Sequence, residues 1–238
     1  MLVAFLHGLG QRGRSWDEVI GLLPAGWRCL APDLRGTTMA GCQAELESLW
    51  GSEAVHLVAY SMGGRLALHI AAWAPSRLLS LTTIGAHAGL PGPERERRLR
   101  SDQALADDVE RGGAALFADR FGSLPLFESE RRRGPEFGAA RRRERLEQDP
   151  AHLAACLRGM GAGAMEPVWD QLAGFTAPAL FVAGVRDARY AAHARRLATT
   201  VQDGRAEIVP GAGHAVHLER PGLFAAILRR HLDQVSRR

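Results

Sequence analysis

Six short apolar runs punctuate the chain, at residues 2–7, 28–33, 54–61, 78–86, 177–185 and 206–210. Each has strand length, and several run into Gly, Asp or Ser, residues that end a strand by turning the backbone. Their hydrophobicity is nearly continuous instead of alternating, which predicts strands covered by helices on both faces, as in parallel sheets. Helical spacing of apolar positions fills the intervals at 16–23, 43–50, 62–73, 191–199 and 221–235, and the third of these stops before Pro75, which cannot continue a helix. The pattern predicts an α/β fold, a mostly parallel sheet of about six strands flanked by helices.

Residues 89–174 interrupt this alternation. The segment is rich in Arg, helical in pattern and broken by Pro91, Pro93, Pro125, Pro135 and Pro150. It is too long for a loop, so a helical cap inserted between the fourth and fifth strands is expected. Residues 1–88 and 175–238 then form the core of a single domain, a size that 238 residues with 46% hydrophobic content readily support. No internal repeat is present.

Composition narrows the function classes. No run approaches the roughly 18 apolar residues that cross a bilayer, and the opening residues lack a basic leader, so a cytoplasmic protein without membrane partners is expected. Cys29, Cys42 and Cys156 are odd in number and lack the paired spacing of zinc or redox motifs, which predicts reduced, structural thiols and no metal. The net charge of +4 comes from a chain without lysine, in which all 30 Lys+Arg positions are Arg. Many of these accompany Ala and Gly, as a coding bias would place them, and no nucleic-acid partner is expected.

The chemistry gathers at the ends of the predicted strands. The run 54–61 enters Ser61-Met62-Gly63-Gly64 and then a helix, the strand–turn–helix context of a nucleophile elbow. The glycine usual two residues before the serine is Ala59 here. A serine merely capping a helix is the alternative for Ser61 taken alone. Asp187 lies just past the strand ending at residue 185, and His214 follows the last strand within Gly211-Ala212-Gly213, giving the order Ser, Asp, His. An imidazole can take the serine proton while a carboxylate fixes its tautomer. Asp33 and Asp170 are rival acids, less well placed at earlier positions. Gly8 permits close backbone approach after the first strand, so the amides of Leu9 and Met62 are candidates for an oxyanion hole. Arg65 stands one helical turn beyond Ser61, beside the expected pocket, where a cation needs an anionic partner or an escape to solvent. His7 reads as turn-stabilising, and His56, His69, His193 and His231 as structural or surface groups.

With Val58-Ala59-Tyr60-Ser61-Met62-Gly63-Gly64-Arg65-Leu66-Ala67 in view, the chain resembles the MenH family of the α/β-hydrolase fold, the 2-succinyl-6-hydroxy-2,4-cyclohexadiene-1-carboxylate synthases of menaquinone biosynthesis. The likeness extends over nearly the whole length through Phe5-Leu6-His7-Gly8, Ala31-Pro32-Asp33-Leu34, Gly85-Ala86-His87-Ala88-Gly89-Leu90, Ser101-Asp102, Phe117-Ala118-Asp119, Pro125-Leu126-Phe127 and Gly211-Ala212-Gly213-His214. The resemblance implies a cofactor-free elimination of pyruvate from a small-molecule polycarboxylate. It also implies that Arg65, Arg98 and Arg145 bind substrate carboxylates, with Tyr60, His87 and Phe127 in the same site. A monomer or small homo-oligomer is expected. Three departures bear on the resemblance. Arg120-Phe121 replaces an aromatic pair usual in the cap, Arg35-Gly36-Thr37-Thr38 replaces a glycine–histidine–glycine loop, and the chain opens at the first parallel strand without a preceding hairpin. A carboxylesterase or carbon–carbon bond hydrolase would use the same triad on another substrate, and a receptor could keep the fold without turnover.

Overall fold

The computed structural model describes residues 1–237. Six strands form one sheet: β1 (Leu2–Leu6), β2 (Arg28–Leu30), β3 (Val55–Tyr60), β4 (Leu78–Ile84), β5 (Ala179–Gly184) and β6 (Gly204–Val209). Their order is β2-β1-β3-β4-β5-β6, and every pairing is parallel. The continuous apolar runs have the expected cause, since β1, β3 and β5 are buried at every residue. The two edge strands differ, with β2 and most of β6 only partly covered.

Helices cross between the strands on both faces. One face carries α1 (Asp17–Gly21) and the C-terminal helix, where Val19, Phe224 and Leu228 pack on Val3, Phe5 and Val58. The other carries α2 (Met39–Trp50), α3 (Met62–Trp73) and the helix after β5, through Leu46, Leu66 and Leu197 against Leu57 and Phe181. Between β4 and β5 lie five helices: α4 (Gly92–Gly122), α5 (Glu128–Arg131), α6 (Pro135–Leu146), α7 (Pro150–Met160) and α8 (Trp169–Leu172). The prolines sit where a helix tolerates them, with Pro135 and Pro150 at first positions and Asp149 accepting the Ala151 amide as a cap. Helix α4 is broken at Gly113, whose φ of 71° suits a residue without Cβ. A third apolar cluster, including Val109, Phe117 and Leu153, holds α4 to α7. After β5 come α9 (Ala188–Thr200), α10 (Val216–Glu219) and α11 (Pro221–Val235).

The strand order fixes where chemistry can occur. The chain runs from β1 outward to β2, then crosses back to place β3 on the other side of β1, which opens a crevice at the carboxyl ends of β1 and β3. The turns after β1, β3, β5 and β6 all surround that edge. Among the described residues, no helix is long and apolar enough to cross a membrane.

Candidate active site

Ser61 occupies the turn between β3 and α3 with φ 51° and ψ −107°, and among the described residues it alone has positive φ without being glycine. Such a conformation costs about 1–3 kcal/mol and persists only where its surroundings enforce it. They do so here: the Ser61 amide donates to the Ile84 carbonyl at 2.8 Å, and the Arg65 amide donates to the Ser61 carbonyl at 2.9 Å. Gly63 is required by packing, because a Cβ there would lie 2.6 Å from the His7 carbonyl oxygen and 2.7 Å from that of Leu6. The helix therefore approaches β1 closely, and the turn aims the serine at the crevice.

The two other distant residues meet it. His214 Nε2 lies 3.2 Å from Ser61 Oγ, and His214 Nδ1 lies 2.8 Å from Asp187 Oδ2. Asp187 caps α9, its Oδ1 accepting the Tyr190 amide at 3.3 Å, and both His214 and Asp187 are buried. The rival acids are engaged elsewhere: Asp33 Oδ1 accepts the Gly13 amide at 2.7 Å, and Asp170 lies in α8. His7 ties β1 to the loop after β2, since its Nε2 accepts the Leu34 amide at 3.0 Å and Nδ1 faces the Gly8 carbonyl at 2.9 Å. Burial lowers its pKa. His56 pairs with Ser80 at 2.8 Å across β3 and β4, and burial brings it down to about 4.

A cavity of about 560 Å³ opens over Ser61. Leu9 and Met62, the candidate oxyanion donors, line it beside the serine. Its wall is cationic, because Arg65, Arg98, Arg186 and Arg189 line it against two carboxylates, Asp102 and the histidine partner Asp187. Arg65 is 7% exposed and does not escape to solvent. Its guanidinium donates to the Met160 carbonyl at 2.6 Å, while Nε has no hydrogen-bond partner among the described residues. Burial lowers its pKa, the nearby Arg98 pushing the same way. The anionic partner expected for it is thus not supplied by a direct protein ion pair. Arg98 donates to Asp102 at 2.7 Å and keeps 41% of its side chain exposed.

The remaining residues expected in the site are distributed differently. Tyr60, Phe127 and Arg145 border a narrow crevice on the other side of Ser61, outside the main cavity. Tyr60 is 2% exposed, with its ring 5.3 Å from that of His214 and 4.4 Å from that of His217. Arg145 pairs with Glu130 at 3.2 Å and lies 4.9 Å above the Phe127 ring, so its charge is already compensated. His87 is buried behind the cavity, its Nδ1 accepting the Gly89 amide at 3.1 Å, and burial depresses it to about 2. The crevice bordered by Tyr60, Phe127 and Arg145 shares Leu9, Ser61 and Phe121 with the main cavity, and His87 lines neither space. The departures have local consequences. Phe121 borders both spaces, Arg120 turns away to Asp108, and the loop at residues 35–38 is held by Glu45.

Sequence reasoning passed over Tyr190, whose ring centre lies 4.5 Å from that of His214, and Glu219, which accepts the Gly213 amide at 2.9 Å. An acid five residues after His214, closing Ala215-Val216-His217-Leu218, was the available signal for Glu219. The three cysteines are free, and burial pushes Cys42 and Cys156 up to about 12, which leaves them unreactive thiols. Among the described residues, no group of three or more His, Cys, Asp or Glu is placed to hold a metal.

Comparison with known proteins agrees with this architecture. Residues 3–227 match the alpha/beta hydrolase family. A Bacillus subtilis protein with the provisional name 2-succinyl-6-hydroxy-2,4-cyclohexadiene-1-carboxylate synthase is 32% identical, over 98% of this chain and 90% of its own. The structure of MenH from S. aureus superposes with a TM-score of 0.94 at 25% identity, over 99% of this chain and 94% of its own. A thermophilic esterase from Thermogutta terrifontis, solved with malate bound, superposes with a TM-score of 0.87 at 26% identity, over 99% of this chain and 90% of its own.

Proposed function

We propose, because the chain belongs to the α/β hydrolase family and within it to the 2-succinyl-6-hydroxy-2,4-cyclohexadiene-1-carboxylate synthases, that it eliminates pyruvate from 2-succinyl-5-enolpyruvyl-6-hydroxy-3-cyclohexene-1-carboxylate. In this reading Ser61, His214 and Asp187 are the catalytic triad, and residues 89–174 form a cap over it. The substrate is a small polycarboxylate met in the cytoplasm.

The observation that carries the reading is the buried Arg65 beside Ser61, whose guanidinium donates to the Met160 carbonyl and whose Nε has no hydrogen-bond partner among the described residues, in a wall shared with Arg98, Arg186 and Arg189. A guanidinium removed from water is stabilised by a carboxylate that can take two of its N–H donors. The substrate offers three carboxylates. With one held at Arg65, the carbon next to the succinyl carbonyl comes under the Ser61–His214 pair. His214 draws the hydroxyl proton from Ser61, and the serine oxygen takes the proton from that carbon. The freed electron pair forms the ring double bond to the neighbouring carbon, the existing alkene shifts by one position, and the bond to the enolpyruvyl oxygen breaks. The departing enolpyruvate takes up a proton and tautomerises to pyruvate. No water is consumed and no acyl-enzyme forms. Charge developing on the succinyl oxygen falls to the Leu9 and Met62 amides, a kind of donor worth about 2.7–4 kcal/mol each in the transition state.

Ester hydrolysis is the second reading, favoured by the likeness to the malate-bound esterase. The two separate on Arg65. Arg65→Met should lower kcat/KM for pyruvate release by at least about a hundredfold, the loss of a charge-assisted contact at about 3 kcal/mol. It should leave hydrolysis of p-nitrophenyl acetate, which carries no carboxylate, within about threefold. Ester hydrolysis by the wild-type chain without pyruvate release would favour the hydrolase.

A further inference from the structure

The loop that carries His214 has little regular structure to hold it. It turns at Gly211, where φ is 69°, and α10 begins only at Val216. Glu219 closes α10 and is 5% exposed. Its Oε2 accepts the Gly213 amide at 2.9 Å, and its Oε1 accepts the Ala215 amide at 3.2 Å. These amides flank His214, so one carboxylate fixes the peptide units on both sides of the imidazole. Hydrogen bonds to an ionised acceptor are roughly twice as strong as neutral ones, and they are stronger still away from water.

The third partner comes from elsewhere in the fold. Ser129 Oγ donates to Glu219 Oε1 at 3.0 Å, and a Cβ at Gly213 would lie 1.9 Å from that same hydroxyl oxygen. Ser129 belongs to α5, within the helices between β4 and β5, and Arg133 just beyond it donates to the Leu218 carbonyl. Phe127, on the approach to α5, sets its ring edge-on to that of His214 at 6.1 Å.

We propose that Glu219 is a positioning residue for His214 and that Ser129 makes its grip depend on the docking of α5. With the helix in place, the carboxylate is held against the loop and the imidazole keeps the alignment that connects Asp187 to Ser61. With the helix displaced, the loop loses one of its ties and the proton relay loosens. The inference rests on the triad reading and not on the identity of the substrate.

The test is the rate at which a fluorophosphonate labels Ser61, where Oγ bonds to phosphorus, fluoride leaves and His214 takes the hydroxyl proton. It is measured beside kcat and KM for pyruvate release and beside the melting midpoint. Glu219→Gln replaces one acceptor oxygen by a donor facing an amide. It should slow labelling and kcat together by about tenfold, in the range expected when a catalytic group is slightly misplaced, with KM within about twofold. Ser129→Ala leaves both amide bonds and should cost about threefold in the same two rates. The double variant should be no slower than Glu219→Gln, since Ser129 acts through Glu219. Labelling of folded Glu219→Gln at the wild-type rate overturns the proposal, as does a loss confined to KM. Ser129→Ala at the wild-type rate overturns the coupling to α5 whether or not Glu219→Gln folds. Wild type that resists labelling removes the triad and this inference with it, whereas labelled wild type that releases no pyruvate refutes only the proposed reaction.

Discussion

Ser61 is held in a backbone conformation that only its neighbours make tolerable, and the imidazole 3.2 Å from its hydroxyl is itself fixed by Asp187 at 2.8 Å. Besides capping α9 through Oδ1, Asp187 in the proposed triad keeps the His214 proton on Nδ1 so that Nε2 is free to accept. Asp187→Asn should preserve the melting midpoint within a few degrees and lower kcat by about 10³- to 10⁴-fold, as a wrong tautomer does in serine hydrolases. Retention of more than a tenth of wild-type turnover would refute the role. The residues that meet here were legible because each follows a strand, and strand ends can be read from local sequence. The surroundings of Tyr60, His87, Phe127 and Arg145 could not be read in the same way. Which face a ring takes, and whether an Arg such as Arg145 already has an acid such as Glu130, depends on partners brought in from other elements. Glu219 was missed for the same reason, since its ties to Gly213 and Ser129 exist only once the chain is folded.

At the scale of elements, six apolar runs became six strands, and α3 and α11 have the bounds their spacing gave. The differences have local causes. Helix α2 starts at Met39, four residues earlier than apolar spacing gave, because Thr38 caps it by accepting the Gly41 amide. The run at 28–33 pairs only over Arg28–Leu30 because β2 is an edge strand whose chain then turns, with Asp33 bound to Gly13. The sheet is wholly parallel, where a mostly parallel one was expected. The contact between α3 and β1 sets the elbow, and it can be tested at a single atom. Gly63→Ala would drive a methyl to 2.6 Å from the His7 carbonyl. It should cost about 1–3 kcal/mol of stability in urea unfolding and at least about tenfold in kcat. Gly21→Ala, where nothing lies within 4 Å of the added Cβ, is the control and should be neutral or slightly stabilising. Equal effects would show that the close approach is not what sets the turn.

For the whole molecule, burial and charge distribution set how it responds to pH. His7, His56, His87 and His217 are buried, and burial is the main cause that lowers each of them, which keeps them neutral in the folded chain. The unfolded chain takes up these protons as pH falls below about 6.5, so the stability they contribute is complete above that value and is lost on acidification. His69 and His193 are lowered by burial in the same sense. Glu130 and Glu144 act oppositely, because burial pushes Glu130 up to about 7 and raises Glu144 as well. With six imidazoles against two carboxyls, the urea midpoint should fall between about pH 7.5 and about pH 5, and a flat or rising midpoint would contradict this balance. The same overall organisation joins a Ser–His–Asp relay to a cavity walled by Arg65, Arg98, Arg186 and Arg189. In the proposed reaction this combination eliminates an enolpyruvyl group. The most direct measurement incubates the enzyme with 2-succinyl-5-enolpyruvyl-6-hydroxy-3-cyclohexene-1-carboxylate and follows pyruvate together with the absorbance of the ring diene. Both should rise in equal amounts with the wild-type chain, and neither should exceed the uncatalysed rate with Ser61→Ala. Pyruvate at the uncatalysed rate with folded wild type, under conditions where a known synthase works, would contradict the proposed reaction.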